Sequence, residues 1–271
     1  MANTTVTIVQ QVLTLKRKEQ LSPHYIRMVF TGDVAAYREA TLGDNNKIFV
    51  PPVGLDKVHL RTQDPQSGAW VLPPQEIRPI VRTYTHRALD LEKGELTIDF
   101  VDHGDQGPAS GWAHRAIPGG ELGVAMKLHK KELFPTVDHY VLIGDATAIP
   151  VLGVILEQLP PTALGHCLIE VHGPQDELPL ATQAQMQFSW LHNPTPGKNS
   201  SLADRARELT LPQGSRFAFV ACEYASVREI RQYFRKEKGW SKEELYAFSY
   251  WKVGAAEDQS ALDRREERQK D

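Results

Sequence analysis

Two neighbouring segments of the chain combine aromatic, hydroxyl and cationic side chains in an order that suits a large redox cofactor. Arg82–Arg87 reads Arg-Thr-Tyr-Thr-His-Arg, so it offers one flat ring flanked by hydroxyls and guanidinium groups. Asp99–Gly104 ends a predicted strand, and the Gly/Pro-rich stretch Gly107–Ser110 follows it at the start of a helix. A flavin dinucleotide requires a platform for its ring, and backbone amides with cations for its pyrophosphate. Together the two segments predict a flavin-dependent redox protein.

Spacing within the second segment supports this interpretation. Asp99, Val101 and His103 are two residues apart, so they share one face of the predicted strand. Taken alone, Arg82–Arg87 is more typical of a barrel strand whose polar side chains face solvent. The loop after the second strand, with its flexible backbone and its hydroxyl and amide donors, is what favours the cofactor.

The elements that must position these residues change in character near residue 135. Before that point, short alternating or β-branched runs are separated by turns, which is typical of an antiparallel β-barrel. After it, apolar runs such as His139–Ile143 and Arg216–Cys222 alternate with helical stretches, which indicates an α/β domain with a mostly parallel sheet. We therefore predict a two-domain protein, with the barrel over residues 1–135 and the α/β domain over residues 136–254.

A local signal predicts where one later helix begins, and the composition of the last residues sets them apart. Ser226 and Glu229 have the spacing of a capping box, so a helix is expected to start there. Residues 255–271 form a tail that is dense in charges of both signs. For this tail a solvent-facing helix and a frayed terminus are both open.

Composition narrows the classes of function. The chain has 271 residues and a formal net charge of −3, so charge gives no case for binding nucleic acid or an anionic membrane. No apolar run approaches the roughly 20 residues of a membrane span, and the N-terminus lacks a signal-peptide pattern, so we expect a cytoplasmic protein without a membrane segment. Cys167 and Cys222 lie in apolar runs, which is typical of buried reduced thiols. No histidine pair has metal-ligand spacing, so no structural metal is expected, and a monomer is the default.

Five ordered motifs resemble the siderophore-interacting protein family, whose members are flavin-dependent ferric-siderophore reductases of the ferredoxin-reductase-like superfamily. The family pattern Arg-x-Tyr-Thr-x-Arg is matched at Arg82–Arg87, and His-Gly-x-x-Gly-Pro-Ala-x-x-Trp-Ala is matched at His103–Ala113. Three later blocks are similar to the family's Gly-Asp-Glu-Thr-Ala-Leu-Pro, Gly-Glu-x-x-x-Val-Arg and Tyr-Trp-Arg/Lys, and they stand at Gly144–Pro150, Cys222–Arg228 and Tyr250–Lys252. The resemblance covers roughly residues 6–254, and five ordered blocks are more specific than any single one.

The resemblance implies an FAD site in the first domain. Tyr84 would lie against the isoalloxazine, with Arg82 and Thr85 at its edge, while Ala109 and Ser110 would present donors to the pyrophosphate. The residues expected to bind FAD are Arg82, Thr83, Tyr84, Thr85, Asp99, Phe100, Val101, His103, Gly107, Ala109, Ser110 and Thr147.

The resemblance also implies an NAD(P)H site in the α/β domain, for which Asp145, Glu223 and Arg228 are the expected contacts. Two departures from the family pattern lie on this side, since Ala146 replaces the usual acid and Cys222 the usual glycine. No Gly-x-Gly-x-x-Gly follows a predicted strand, which argues against a Rossmann dehydrogenase but not against a ferredoxin-reductase module. NADH, NADPH and a ferredoxin donor all remain open.

Four lysines are expected to bind the substrate, namely Lys47, Lys127, Lys130 and Lys252. Ferric siderophores are often anionic, so a positive rim would raise the rate of encounter. Ordinary solvated lysines are the alternative interpretation. The family's Gly-Pro-Arg-Gly turn is missing, and the corresponding stretch, Ala125–Lys131, is reshaped but still basic.

The activity implied by the resemblance is that of an FAD-dependent oxidoreductase. Electrons would pass from NAD(P)H through FAD to a ferric siderophore and release Fe(II) in the cytoplasm. Two alternatives stay open: a redox-silent module that binds ferric siderophores, and a general flavin reductase that supplies another protein. A yellow preparation would favour an enzyme, whereas a colourless one that takes up ferric chelate would favour the binding module.

Overall fold

The computed structural model describes residues 7–105 and 107–255, which form two compact units divided between Lys131 and Glu132. Apart from Ala255, the charged tail predicted over residues 255–271 lies outside the described part of the chain. The two units are described separately below.

The first unit is built on a seven-stranded antiparallel sheet with strand order β6-β3-β9-β1-β2-β8-β7. Its strands are β1 (Thr7–Ser22), β2 (Tyr25–Thr31), β3 (Asn45–Val50), β6 (Ile80–Thr85), β7 (Ala88–Asp90), β8 (Glu95–Val101) and β9 (Glu121–Leu128). A separate two-stranded hairpin, β4 (Thr62–Gln63) with β5 (Trp70–Val71), stands between β3 and β6, and helix α1 (Pro108–Arg115) follows β8.

Alternating apolar residues close this sheet around its core. In β8, Leu96, Ile98 and Phe100 are two residues apart and fully buried, as expected for one inward face of a strand. The Tyr84 ring on β6 contacts the Phe100 ring on β8, with centroids 4.6 Å apart, although these strands are far apart in the sheet order. The sheet is therefore curled into a half-barrel, and the predicted antiparallel barrel is confirmed in this open form.

The second unit contains a five-stranded, all-parallel sheet with strand order β12-β11-β10-β13-β14. Its strands are β10 (His139–Asp145), β11 (Leu164–Val171), β12 (Gln185–His192), β13 (Arg216–Glu223) and β14 (Leu245–Trp251). The helices are α2 (Ile149–Gln158), α3 (Leu202–Glu208) and α4 (Tyr224–Gln232). The predicted α/β domain with a parallel sheet is confirmed.

Strand order in this sheet reverses between β10 and β13. The chain runs outward from β10 to β11 and β12, and then returns to place β13 and β14 on the other side of β10. At the end of β10, a Cβ on Gly144 would lie 2.6 Å from the Cβ of Ala148, so only glycine allows the turn before α2 to pack this closely on the sheet. Open α/β sheets bind their ligands at the carboxyl ends of the strands beside such a reversal.

The predicted start of α4 was wrong by three residues. The helix begins at Tyr224 rather than after Ser226, because the carboxylate of Glu223 accepts a hydrogen bond from the amide of Ala225 and acts as the cap. Ser226 lies inside the first turn and is buried. The capping box expected from Ser226 and Glu229 is not formed.

Candidate functional site

The four consecutive residues predicted at the flavin ring stand on β6, where they alternate between two sides of the strand. Arg82 and Tyr84 share one side, and Tyr84 packs against the core. Thr83 and Thr85 share the other side, where the ammonium of Lys47 on β3 donates to the Thr83 hydroxyl at 2.5 Å. The segment therefore offers a ring and a guanidinium on one side, and two hydroxyls with a cation on the other.

A chain of aromatic rings connects β6 to the start of α1. Tyr84 contacts Phe100, and the Phe100 ring lies 6.1 Å from that of Trp112 on α1. Trp112 also stacks on Phe30, with 15° between the ring planes. These contacts bring the Arg-x-Tyr-Thr strand and the Gly/Pro-rich loop, which are far apart in sequence, into one region of the first unit.

Ser110 and Asp102 hold the loop between β8 and α1 in place. The hydroxyl of Ser110 accepts from the amide of His103 at 2.9 Å and donates to the carbonyl of Gly104 at 2.8 Å. Asp102 accepts from the amide of Gly104 at 2.8 Å and contacts His114 Nδ1 at 3.2 Å. Burial opposes ionisation of Asp102, but these hydrogen bonds outweigh it and lower its pKa below its ordinary value. The buried Ser110 hydroxyl is thus engaged within the loop, so the donor that Ser110 can offer a ligand is its backbone amide.

The N-terminus of α1 has no side-chain cap. Gly107 occupies the cap position with φ of +103°, a conformation that favours glycine, and Pro108 is the first helical residue. The amides of the first turn, including those of Ala109 and Ser110, therefore lack the side-chain acceptor that usually satisfies them. An uncapped helix start of this kind binds anions such as phosphate.

Asp99 is the most strongly engaged of the predicted flavin contacts. Its side chain is fully buried, and both oxygens accept from the guanidinium of Arg27 at 2.8 Å. The hydroxyl of Tyr25 lies 3.2 Å from the same carboxylate, and Arg87 Nε lies 3.8 Å away. These contacts give Asp99 a structural role in fixing Arg27 and Arg87, whereas its contact with FAD stays a prediction, as do those of Phe100, Val101 and His103.

The lysines of the predicted substrate rim have different surroundings. Lys47 and Lys127 lie on the same face of the sheet, because Lys47 pairs with Ala125 and Lys127 follows two residues later. Lys127 is exposed, whereas Lys130 donates to the carbonyls of Arg38 and Ala40 at 2.7 and 3.0 Å. Lys130 therefore has two of its three N–H groups engaged by the backbone, and the strongest candidates for a rim in the first unit are Lys47 and Lys127.

In the second unit, Asp145 ends β10 and ties three segments together. One of its oxygens accepts from the amide and the hydroxyl of Thr147, at 2.9 and 2.5 Å. The other accepts from the amide of Glu223 at 2.9 Å and from the indole of Trp251 at 2.7 Å. Burial is the main cause that raises the pKa of Asp145, and the negative charge of Glu170 raises it further.

Glu223, Arg228 and Lys252 were also predicted in this unit. Glu223 ends β13 and is buried, with its carboxylate accepting from the amides of Ala225 and Val253 at 2.5 and 3.3 Å. Arg228 is exposed on α4, and the ammonium of Lys252 lies 4.7 Å from the centre of the Tyr224 ring. Of the three predicted NAD(P)H contacts, Asp145 and Glu223 are joined by a hydrogen bond.

Two family models match the chain in the same order as its two units. The "Siderophore-interacting FAD-binding domain" matches residues 14–126, and the "Siderophore-interacting protein" model matches residues 137–254. The chain belongs to the siderophore-interacting protein family. The resemblance inferred from the five motifs is thereby confirmed.

Relatives of this siderophore-interacting protein match it over nearly its whole length. The ferric vibriobactin reductase ViuB of Vibrio cholerae is 31% identical over 261 residues, which is 95% of each chain. The crystal structure of the siderophore-interacting protein SipS from Aeromonas hydrophila superimposes with a TM-score of 0.80 at 30% identity, covering 96% of this chain and 98% of that one. The Amycolatopsis cytochrome P450 reductase GcoB, at 16% identity and a TM-score of 0.62 over 91% of this chain and 71% of that one, shares the ferredoxin-reductase-like fold.

The residues of the first unit fit the FAD expected for a siderophore-interacting protein. The uncapped start of α1 supplies amides for a pyrophosphate, and Gly107 leaves room for it because no side chain stands at the cap. The rings of Tyr84, Phe100 and Trp112 place Arg82 in the same region as those amides. The region thus provides backbone amides, hydroxyls and a guanidinium as hydrogen-bond donors, and an aromatic ring as a packing surface. These groups match the chemistry of a flavin dinucleotide.

The motifs missed two parts of the site region. Glu170 on β11 is buried and accepts from Asn193 at 3.1 Å, from the Ser200 hydroxyl at 2.9 Å and from the Ser201 amide at 3.2 Å. Asp102 organises the loop before α1. Each is a single acid in or beside an apolar strand and belongs to no motif. The one sequence signal for them is a carboxylate within or directly after a run that is predicted to be buried.

Within residues 7–105 and 107–255, no cluster of three or more His, Cys, Asp or Glu side chains is arranged to hold a metal ion. None of the described helices has the length and apolar character needed to traverse a bilayer. Cys167 and Cys222 are both buried and free, and burial raises the pKa of the Cys167 thiol to about 12, which agrees with the expected reduced, unreactive thiols.

Proposed function

We propose that this siderophore-interacting protein is an FAD-dependent reductase that transfers electrons from NAD(P)H to a ferric siderophore in the cytoplasm. The observation that carries the proposal is the uncapped helix start at Gly107, brought next to the Arg-x-Tyr-Thr strand by the Tyr84–Phe100–Trp112 rings. The reductase activity named for ViuB, which matches 95% of this chain, gives the proposal its substrate class.

The first unit would hold FAD through residues of both segments. The amides of Ala109 and Ser110 would bind the pyrophosphate, Arg82 would balance its charge, and Tyr84 would support the ring. When bound, FAD accepts two electrons from a nicotinamide and passes them on singly to a metal. Thr83 and Thr85 belong to the same proposal, whereas the FAD contact of Thr147, a residue of the second unit, stays a separate prediction.

Lys47 and Lys127 would act on the substrate, which is an Fe(III) complex rather than a resident metal. Two ammonium groups on one face of the sheet attract an anionic chelate and hold it near the flavin-binding strand. Fe(II) is a weaker Lewis acid than Fe(III), so oxygen-rich chelators hold it less tightly and reduction releases the metal. Electron transfer of this kind requires proximity and no acid–base pair.

Steady-state iron release tests this function. The FAD-loaded protein is supplied with NADH or NADPH and an iron(III) catecholate chelate, and Fe(II) is trapped with a coloured Fe(II)-specific chelator under anaerobic conditions. The proposal predicts Fe(II) formation that requires protein, FAD and nucleotide together. Uptake of the ferric chelate by a flavin-free protein, with no Fe(II) formed after FAD is supplied, would instead establish the binding module.

A further inference from the structure

The strand ends at which a nucleotide would bind the second unit are occupied by carboxylates. Strand order reverses between β10 and β13, and ligands of open α/β sheets bind outside the strand ends at such a point. The residues that end these two strands are Asp145 and Glu223, joined by a hydrogen bond of 2.9 Å. On the other side of Asp145, Glu170 is its register partner on β11.

Two of these carboxylates also accept hydrogen bonds from backbone amides that a phosphate would otherwise bind. Backbone amides at helix starts are the groups that bind the diphosphate of a dinucleotide. Here Asp145 accepts the amide of Thr147, which leads into α2, and Glu223 accepts that of Ala225 in α4. A diphosphate arriving at the reversal point would find these donors already satisfied by internal anions.

The charge of the three side chains opposes a diphosphate as well. Asp145, Glu170 and Glu223 are only 7%, 6% and 7% exposed, so solvent screens them weakly. Their negative potential reaches Cys222 on β13. Burial is the main cause that raises the pKa of this thiol well above its ordinary value, and all three carboxylates raise it further. Two further negative charges at the same place would be repelled.

We propose that Asp145, Glu170 and Glu223 exclude the diphosphate of the electron donor, so that the protein recognises donors by the dihydronicotinamide ring alone. NADH and NADPH are then used no more efficiently than a neutral dihydronicotinamide. The proposal rests on the proposed reductase function and specifies its donor. In the reaction the C4–H bond of the ring breaks, the ring leaves as a pyridinium, and the hydride with one solvent proton is taken up by FAD.

Two measurements on the FAD-loaded protein test this specificity. Flavin bleaching is followed anaerobically with NADH, NADPH and 1-benzyl-1,4-dihydronicotinamide, and each rate constant is divided by that of the same donor with free FAD. The ratios for NADH and NADPH are expected not to exceed that of the neutral donor, and a ratio for NADH or NADPH more than about threefold above it would overturn the proposal. In calorimetry, ADP-ribose is expected to show no saturable binding, whereas a Kd below about 0.1 mM would contradict the proposal.

Charge-removing variants test the named residues. Glu170→Gln and Glu223→Gln are each expected to raise the rates with NADH and NADPH, relative to the rate with the neutral donor, by about threefold or more. Glu208→Gln, which makes the same chemical change at the exposed end of α3, is the control and is expected to change none of the rates. Equal rates in all variants would overturn the role of these carboxylates, and if neither variant folds, the ADP-ribose titration of the unaltered protein decides.

One further experiment distinguishes a failure of this donor proposal from a failure of the reductase function on which it rests. Protein whose FAD has been reduced with dithionite is mixed with the ferric chelate. If this protein forms Fe(II) but no nicotinamide bleaches its flavin, the donor proposal is overturned and the reductase function stands, with a protein such as ferredoxin as the donor class. If reduced protein forms no Fe(II), the function itself fails.

Discussion

Lys127 is the most direct residue-scale test of the substrate rim. Its side chain is exposed beside Lys47 on one face of the sheet. Lys127→Gln is expected to raise the KM for an anionic ferric chelate by roughly threefold at low ionic strength, with little change in kcat, because it removes long-range attraction only. The measurement is the KM as a function of salt concentration.

Lys93→Gln is the matched control for that prediction. Lys93 is also exposed, but it stands in the turn before β8 and pairs with Asp90 at 2.9 Å. The Lys93→Gln variant should leave the KM for the chelate unchanged. An equal rise in KM in both variants would assign the effect to net charge and contradict a rim at Lys127.

His86 makes a prediction about stability and pH. It is almost fully buried, its Nδ1 contacts the carbonyl of Thr41 at 3.2 Å, and its Nε2 has no hydrogen-bond partner. Burial is the main cause that lowers its pKa from 6.5 to about 4. Between pH 6.5 and 4 this histidine is therefore protonated in the unfolded chain but mostly neutral in the folded chain. The free energy of unfolding consequently falls as the pH decreases through this interval.

The expected loss from His86 is about 3 kcal/mol between pH 6.5 and 4, from the linkage of protonation to folding. His86→Gln, which does not titrate, should be less stable at pH 7 but lose less stability than the unaltered protein on acidification. Urea unfolding at several pH values measures both. If the free energy of unfolding of the two proteins depends on pH in the same way, His86 is not the group responsible for the loss.

The sequence predicted the types of residue at the site better than their surroundings. Arg82–Thr85 was identified from its ring, hydroxyls and guanidinium, but the partners on its two sides, Lys47 for Thr83 and Phe100 for Tyr84, come from strands far away in the chain. Likewise Asp99 was chosen for its position on the strand, whereas its engagement by Arg27 arises from the neighbouring strand β2. Long-range partners of this kind leave no local pattern.

At the scale of elements, the glycine at the start of α1 is expected to affect both the stability of the protein and its affinity for FAD. Gly107→Ala would strain the backbone at φ of +103° and place a Cβ 3.3 Å from the His103 ring at the helix start. We expect a loss of about 1–2 kcal/mol of stability from the backbone strain. We also expect FAD to bind about tenfold more weakly, because the pyrophosphate must approach the backbone here. FAD titration and urea unfolding measure the two effects.

Gly119→Ala provides the control for Gly107. Gly119 has φ of +98° in the turn before β9, and a Cβ there would meet nothing within 4 Å. This variant should lose similar stability but bind FAD as the unaltered protein does. Unchanged FAD affinity in Gly107→Ala would remove the start of α1 from the flavin site.

Asp145 joins the ends of β10, β13 and β14. Asp145→Asn replaces one of two accepting oxygens with an NH₂ group, which then faces N–H donors of Glu223 and Trp251 or of Thr147. We expect a loss of about 2–3 kcal/mol in the free energy of unfolding. Asp138→Asn, exposed immediately before the same strand, should change stability little, and an equal effect of both variants would contradict the role of Asp145.

Long elements were predictable because their apolar residues repeat with the period of a strand or a helix. The apolar runs His139–Ile143 and Arg216–Cys222 were recognised as the strands that became β10 and β13, since buried parallel strands are continuous apolar runs. The two-residue strands β4 and β5 were not, because so short a strand has no period. The start of α4 was displaced because the last residue of a strand, Glu223, also caps the helix.

On the scale of the whole molecule, the order of motifs was more informative than any one of them. The family models match the chain in two consecutive blocks, residues 14–126 and 137–254, in agreement with the ordered motifs. The acids at the strand ends were predicted as contacts of a nucleotide, whereas the structure gives each of them protein partners. Whether a polar residue binds a ligand or another part of the chain depends on the complete fold.

Single-turnover reoxidation of the flavin tests the central claim most directly. The FAD-loaded protein is reduced with one equivalent of dithionite under anaerobic conditions and mixed rapidly with an excess of an iron(III) catecholate chelate. We predict that the absorbance of oxidised flavin returns faster than with free reduced FAD, and that about two Fe(II) appear for each flavin, since FAD carries two electrons and each Fe(III) accepts one. A protein that binds no FAD, or whose reduced flavin persists in the presence of the chelate, would contradict the assignment as a ferric-siderophore reductase.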